Sequence, residues 1–149
     1  MNRLKTLAFG MSLFAGPLLA DGHASGDAGA GEKVFNKCKA CHSIIATDET
    51  VIQKGGKIGP NLFGIYTRQA GSLEDFKYGD SIVAAGEAGL EWNEADFVSY
   101  MADPKKFLAE YLDDKRAKSK MAFKLRDDKD AADVWAYLVS VGPKTEASN

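Results

Sequence analysis

The sequence "CKACH" at residues 38–42 contains both cysteines of this 149-residue chain and one of its two histidines. Three chemistries use such a string: a redox-active dithiol, half of a zinc site, and covalent haem attachment. A dithiol of the thioredoxin kind needs a strand–helix–strand context, and no strand pattern surrounds Cys38. Zinc prefers four ligands, but the only further histidine is His23 and no further cysteine exists.

Haem attachment fits the string best, because the Cys-x-x-Cys-His spacing suits one porphyrin. Cys38 and Cys41 can add to its two vinyl groups as thioethers, and His42 can then reach the iron. A disulfide between the two cysteines would close a very small loop and add little stability. The sequence therefore predicts one covalently bound haem c per chain, with His42 as an iron ligand.

The segments around this string predict an all-α fold of about four to five short helices and long loops. The first helix starts near residues 27–30 and ends near "CKACH". Residues 43–71 lack helical periodicity and are rich in glycine, which indicates a long loop. Helices are expected after the N-cap Asn93, from Pro104, and from Asp127 or Asp128 to Gly142. No convincing strand is found, and residues 113–126 are expected to form a basic loop.

The N-terminal residues predict export. Two basic residues precede a charge-free apolar run that ends at Ala20, which is typical of a secretory signal peptide. We expect residues 1–20 to be cleaved off, with Ala24 as an alternative cleavage point. A flexible leader (21–26), one domain (27–141) and a tail (142–149) should follow, in the periplasm and without a permanent membrane anchor. The net charge of −2 excludes a generally basic nucleic-acid binder.

The candidates for the sixth iron ligand are Met101, Met121 and the lysines. Met101 lies on an apolar helix face, where core packing explains it, whereas Met121 lies in the polar loop "AKSKMAFK". Met121 is therefore the better candidate. Because His and Met ligation leaves no open iron position for a substrate, it predicts an electron carrier and not an enzyme.

The chain resembles the class I c-type cytochromes, most of all the larger soluble bacterial ones of the c-two type. Between residues 27 and 141 the resemblance rests on "GEKVFNKCKACH", "GPNLFGIYTRQAG", "FKYGD", "LEW", "YMADPKKFL", "KSKMAFK" and "VWAYL", in this order. It implies that Met121 is the distal ligand and that the Pro60 carbonyl orients His42. It also implies haem contacts by four further side chains, Arg68, Tyr78, Trp92 and Tyr100, and contacts of Gly31 and Phe35 with Val134 and Tyr137.

The resemblance implies a monomeric, mobile periplasmic carrier of single electrons between membrane redox complexes. The donor would be a quinol–cytochrome c reductase, and the acceptor a terminal oxidase, a reductase or a photosynthetic reaction centre. Lysines near the haem strings are predicted to steer this transient docking: Lys39, Lys57, Lys105, Lys106, Lys118, Lys120 and Lys124. A gas sensor with a replaceable sixth ligand and a periplasmic thiol oxidoreductase are the alternatives.

Overall fold

The computed structural model describes residues 24–66 and 68–144. It contains five α-helices and one two-stranded sheet: α1 (Ala28–Val34), β1 (Ile44–Ile45), β2 (Val51–Gln53), α2 (Asp80–Glu87), α3 (Glu94–Ala102), α4 (Pro104–Tyr111) and α5 (Asp128–Val141). A short 3₁₀ turn, Phe35–Lys37, leads from α1 into the Cys-x-x-Cys-His string. The predicted signal peptide, residues 21–23 of the leader and residues 145–149 of the tail lie outside the described residues.

Short polar side chains start four of the five helices, and one of them, Asn93, is the N-cap that the sequence predicts. Each of them accepts a hydrogen bond from the backbone N–H three residues later, which satisfies a donor that the first turn leaves free. These N-caps are Asp27, Asn93, Asp103 and Asp127. Pro104 occupies the first turn of α4, where its missing N–H costs nothing.

The prediction that the chain has no strand is wrong. β1 and β2 pair antiparallel, with Ile44 opposite Gln53 and Ile45 opposite Val51. A ladder of two residue pairs is too short to show the alternation by which strands are recognised in a sequence. The sequence also does not predict α2 as a separate helix, because "DSIVAAGE" has no side-chain N-cap and few large apolar residues.

Helices α1 and α5 cross in close contact at Gly31. A Cβ at this glycine would overlap the Asp133 carbonyl and lie 2.9 Å from the Tyr137 Cβ, so the backbones touch only because the side chain is absent. Next to this crossing, the fully buried Phe35 packs against Tyr137 with ring centroids 5.7 Å apart. The predicted contact of the first and last helices is confirmed.

Ala24, the first residue that the structure describes, is half-buried against the core. The Asp27 N–H donates to Oδ1 of Asp133 at 2.8 Å, and Lys129 donates to the other oxygen at 2.6 Å. Because of these two donors, the pKa of the buried Asp133 carboxyl is lowered. The predicted leader of residues 21–26 thus includes three residues that contact the domain.

The long loop after the strands is held by hydrogen bonds to β1 and to the link between α2 and α3. Asn61 binds both the N–H and the carbonyl of Ile45, at 3.0 and 2.7 Å. Farther along, Ala70 N–H donates to Leu90 O at 2.9 Å, and Trp92 N–H donates to Arg68 O at 3.0 Å. The loop is thereby fixed as one wall of an internal cavity.

Candidate haem site

An apolar cavity of about 390 Å³ lies at the centre of the domain. The side chains that line it come from α2, α3, α4 and α5 and from the loops before and between these helices. All the residues predicted to hold or contact a haem line this cavity: Cys38, Cys41, His42, Pro60, Arg68, Tyr78, Trp92, Tyr100 and Met121. The structure therefore brings together residues that are up to 83 positions apart, from Cys38 to Met121.

The Cys-x-x-Cys-His string forms a tight turn that faces this cavity. Cys38 N–H donates to Phe35 O at 2.8 Å, and the N–H groups of Cys41 and His42 donate to Cys38 O at 3.1 and 3.0 Å. Both cysteines are free thiols. The turn thus places two unpaired thiols and one imidazole on the same cavity wall.

A glycine-rich segment, Gly55–Gly59, closes over the back of this turn. Gly56 N–H donates to Lys39 O at 2.9 Å, and Gly59 N–H donates to Cys41 O at 2.8 Å. A Cβ at Gly55 or Gly56 would overlap backbone carbonyls of the turn. These glycines are needed because only a backbone without side chains fits so close to another backbone.

The imidazole of His42 is fixed from two sides. Its Nδ1 lies 2.8 Å from the Pro60 carbonyl oxygen, to which the protonated Nδ1 donates. A Cβ at Gly59 would lie 2.7 Å from both Nδ1 and Nε2, so the ring lies flat against this glycine. Burial lowers the pKa of His42, against the opposing effect of the Pro60 carbonyl. The neutral ring with Nδ1 occupied leaves Nε2 free to bind a metal.

The half-buried Met121 is held through its backbone by Ser119. The Ser119 hydroxyl accepts from Met121 N–H at 3.1 Å and donates to Met121 O at 3.0 Å. Burial raises the pKa of the Tyr100 hydroxyl, and Ser119 opposes this shift. Ser119 is not among the residues predicted from the sequence. The string Ser-x-Met could have indicated it, because a serine can form hydrogen bonds with the backbone two residues later.

Two more hydrogen bonds tie the Met121 loop to the start of α2. Lys118 N–H donates to Ser81 Oγ at 3.0 Å, and Lys120 Nζ donates to Lys77 O at 2.9 Å. The residues just before Met121 are therefore fixed by the segment around the start of α2.

Met101 lines the same cavity and is more deeply buried, with 4% of its surface exposed. It lies in α3, and its carbonyl accepts from Leu125 N–H at 2.8 Å. Its burial agrees with the predicted role in core packing.

Polar and aromatic side chains form another wall of the cavity. Arg68 donates to Phe63 O and Asn61 O, both at 3.1 Å, which leaves its remaining N–H groups for a ligand. Burial lowers the pKa of Arg68 and raises that of Tyr78, while the mutual influence of the two groups opposes both shifts. A partly desolvated guanidinium of this kind is suited to bind a carboxylate.

The aromatic part of this wall is formed by Trp92 and Tyr100. Their rings meet edge to face with centroids 5.0 Å apart, and both rings are more than 90% buried. Phe107 of α4 packs on Trp92 from the outer side, at 6.4 Å. This cluster gives the cavity a rigid apolar surface that excludes water.

The cavity fits a haem better than it fits zinc or dithiol chemistry. Burial raises the pKa of Cys38 to about 11, whereas redox-active dithiols have thiols with lowered pKa values. Among residues 24–66 and 68–144, no group of three or more His, Cys, Asp and Glu side chains could hold a metal ion. A haem is a large, flat and mostly apolar group that already contains iron. It therefore needs only the thiols, the imidazole and one further iron ligand from the protein.

Comparisons with known proteins agree with this geometry. No family model matches the chain. Cytochrome c-551 from Roseobacter denitrificans is 52% identical over 141 residues, which cover 95% of this chain and 96% of the relative. Cytochrome c2 from Rhodobacter capsulatus is 59% identical over 117 residues, covering 78% and 84%. The crystal structure of cytochrome c2 from Rhodobacter sphaeroides superposes with a TM-score of 0.79 at 47% identity, covering 81% of this chain and all of that one.

The fold and the similarities define a class I c-type cytochrome. Within that class, the chain belongs to the cytochrome c2 family. It is an electron-transfer protein and not an enzyme, and membership of the family implies a haem c cofactor.

Proposed function

We propose that the protein is a mobile periplasmic carrier of single electrons. Cys38 and Cys41 would hold one haem c covalently, and His42 and Met121 would bind its iron. The bound haem supplies an iron that alternates between two oxidation states. The observation that carries the proposal is the single apolar cavity in which two free thiols, an oriented imidazole and a loop methionine meet.

The chain's own residues would hold and shield this group. The Pro60 carbonyl keeps the proton of His42 on Nδ1, so that Nε2 stays directed to the iron. Arg68 and Tyr78, at the polar wall, would bind the haem carboxylates. Trp92 and Tyr100 would exclude water from the same region, which favours the less charged oxidation state of the iron.

Docking to a partner would use the mouth of the cavity. Two of its rim residues are large exposed apolar side chains, Ile58 with 77% and Phe123 with 38% of their surface accessible. Lys118 and Lys120 line the same cavity. An apolar centre with basic residues around it is the arrangement of a transient, electrostatically steered interface.

The predicted docking lysines differ in how free their charges are. Lys106 pairs with Glu110 at 3.7 Å, Lys124 pairs with Asp103 at 2.6 Å, and Lys120 donates to the Lys77 carbonyl. The other predicted lysines have no such ion pair or side-chain hydrogen bond within the described part of the chain, and are the freest to meet an acidic partner: Lys39, Lys57, Lys105 and Lys118.

The partners would be membrane-bound redox complexes that present acidic surfaces. A quinol–cytochrome c reductase would donate the electron, and a terminal oxidase, a reductase or a photosynthetic reaction centre would accept it. The signal peptide, predicted at residues 1–20 with Ala24 as the alternative cleavage point, would be removed during export. None of the helices that the structure describes has the length and apolar character needed to cross a membrane.

A pair of methionine variants tests the iron ligation. Met121→Ala should convert the low-spin visible spectrum to a high-spin or exchanged-ligand spectrum, because the axial thioether is lost. Met101→Leu, the matched control, keeps the core volume and should leave the spectrum unchanged. If the two variants behave in the opposite way, Met101 is the ligand.

Charge-reversed variants test the docking surface. Changing Lys106, Lys118 and Lys120 together to glutamate should slow electron transfer from a quinol–cytochrome c reductase at low ionic strength, and added salt should reduce the difference. Because Lys120 also anchors the Met121 loop, a second triple variant uses Lys57 in its place. The control reverses three lysines outside the predicted docking set: Lys33, Lys115 and Lys144. Equal rates for docking and control variants would reject the surface.

A further inference from the structure

The path of the chain before α1 is fixed by two close contacts. A Cβ at Gly26 would lie 2.5 Å from the backbone nitrogen of Asp133, so this glycine passes directly over α5. Immediately after it, Asp27 N–H donates to the Asp133 carboxylate at 2.8 Å. These contacts hold Ser25 in one place, beside the first turn of α3.

At that place Ser25 occupies both carboxylate oxygens of Glu94. Its backbone N–H donates to Oε2 at 2.8 Å, and its hydroxyl donates to Oε1. Glu94 is the first residue of α3 and is half-buried. No lysine or arginine pairs with it among the residues that the structure describes. A carboxylate that accepts from a backbone N–H would bind far better to an ammonium group at the same position.

The sequence before Ser25 offers a cleavage point that would create this ammonium group. Signal peptidases cut after small residues at the last and third-last positions of the signal. Gly22 and Ala24 fill these positions before Ser25, whereas Leu18 and Ala20 would do so for a cut after Ala20. The large Leu18 makes the earlier cut less suitable.

We infer that the signal peptidase of the export pathway cuts between Ala24 and Ser25, and that the new N-terminus pairs with Glu94. The inference rests on the export proposed above. Water hydrolyses the peptide bond, which leaves a carboxylate on Ala24 and an ammonium group on Ser25. The Ser25 nitrogen then faces Glu94 as a cation and no longer as a neutral amide.

Cleavage at this point gives up the half-buried contact of Ala24 with the core. The ion pair offsets that loss, and it attaches the end of the mature chain to the helix that carries Tyr100 and Met101. Only the processed protein would have this ion pair, since a longer N-terminus presents a neutral amide to Glu94.

Intact mass and N-terminal sequencing of the exported holoprotein test the cleavage. The expected chain begins at Ser25 and carries the mass of one haem. A chain that begins at Asp21 overturns the inference and leaves export intact. A chain that still begins at Met1 overturns both, so the two failures are distinguishable.

The ion pair is tested by the reactivity of the new N-terminus. An amine-directed active ester at neutral pH should label Ser25 of the Glu94→Gln variant roughly two- to fivefold faster than in the wild type, the range expected for an exposed ion pair. Glu91→Gln removes an equal charge from an exposed position nearby and should label at the wild-type rate. Equal rates in all three proteins would show that Glu94 does not hold the terminus.

Discussion

Replacing Ser119 with alanine removes both hydrogen bonds that hold the backbone of Met121. An amide left without an acceptor in a folded chain costs about 1–3 kcal/mol. Because Met121 is half-buried, water can replace part of the lost bond. We therefore expect the loop to be weakened by about 1–2 kcal/mol, which corresponds to a roughly 5- to 30-fold larger population of open loop.

Native-state hydrogen exchange of the Met121 amide in the reduced holoprotein measures this population directly. The rate at which added imidazole binds the oxidised protein should rise by a similar factor, if Met121 must leave the iron first. Ser119→Thr keeps the hydroxyl and should restore both values. Ser72→Ala removes a loop serine that bonds only to the Gln69 carbonyl, and serves as the control. Unchanged protection of the Met121 amide in Ser119→Ala would refute the reasoning.

Three other variants test the fold and the histidine support. Phe35→Ala should lower the free energy of unfolding by about 3–5 kcal/mol in urea titrations, because the fully buried ring leaves a cavity between α1 and α5. Asp133→Asn should flatten the acid limb of the stability profile. Because the pKa of Asp133 is lowered in the folded state, its carboxylate stabilises the protein above the unfolded pKa near 3.9. This contribution to stability disappears as the pH falls through the folded pKa. A wild-type acid limb no steeper than that of the variant would contradict this prediction. Gly59→Ala should shift the reduction potential, measured by redox titration, because the new methyl group presses on the His42 ring, whereas Gly29→Ala in α1 should not.

The cofactor site was predictable where the chemistry is local in sequence. Two thiols and a histidine within five residues indicate haem attachment in any fold, and the structure places all three on one cavity wall. The helix ends were predictable for the same reason, because an Asn or Asp cap acts within three residues.

What could not be predicted depends on contacts between distant segments. The burial of Asp133 follows from the passage of residues 24–27 over α5, which no local pattern shows. Likewise, the lysines look equivalent in the sequence, yet Lys124 is paired with Asp103 and Lys118 is not paired in the described structure. The strands escaped detection because their ladder is only two pairs long.

The glycine-rich segment behind the Cys-x-x-Cys-His turn limits how far this haem site can be transplanted. A pentapeptide inserted into a designed helical bundle would bring the thiols and the imidazole, but it would lack the backbone donors of Gly56 and Gly59 and the carbonyl of Pro60. The histidine of the pentapeptide would be free to rotate, and the redox potential of the bound haem would vary with that rotation. The smallest portable unit of this protein is therefore the whole stretch 38–60, with its glycines unchanged.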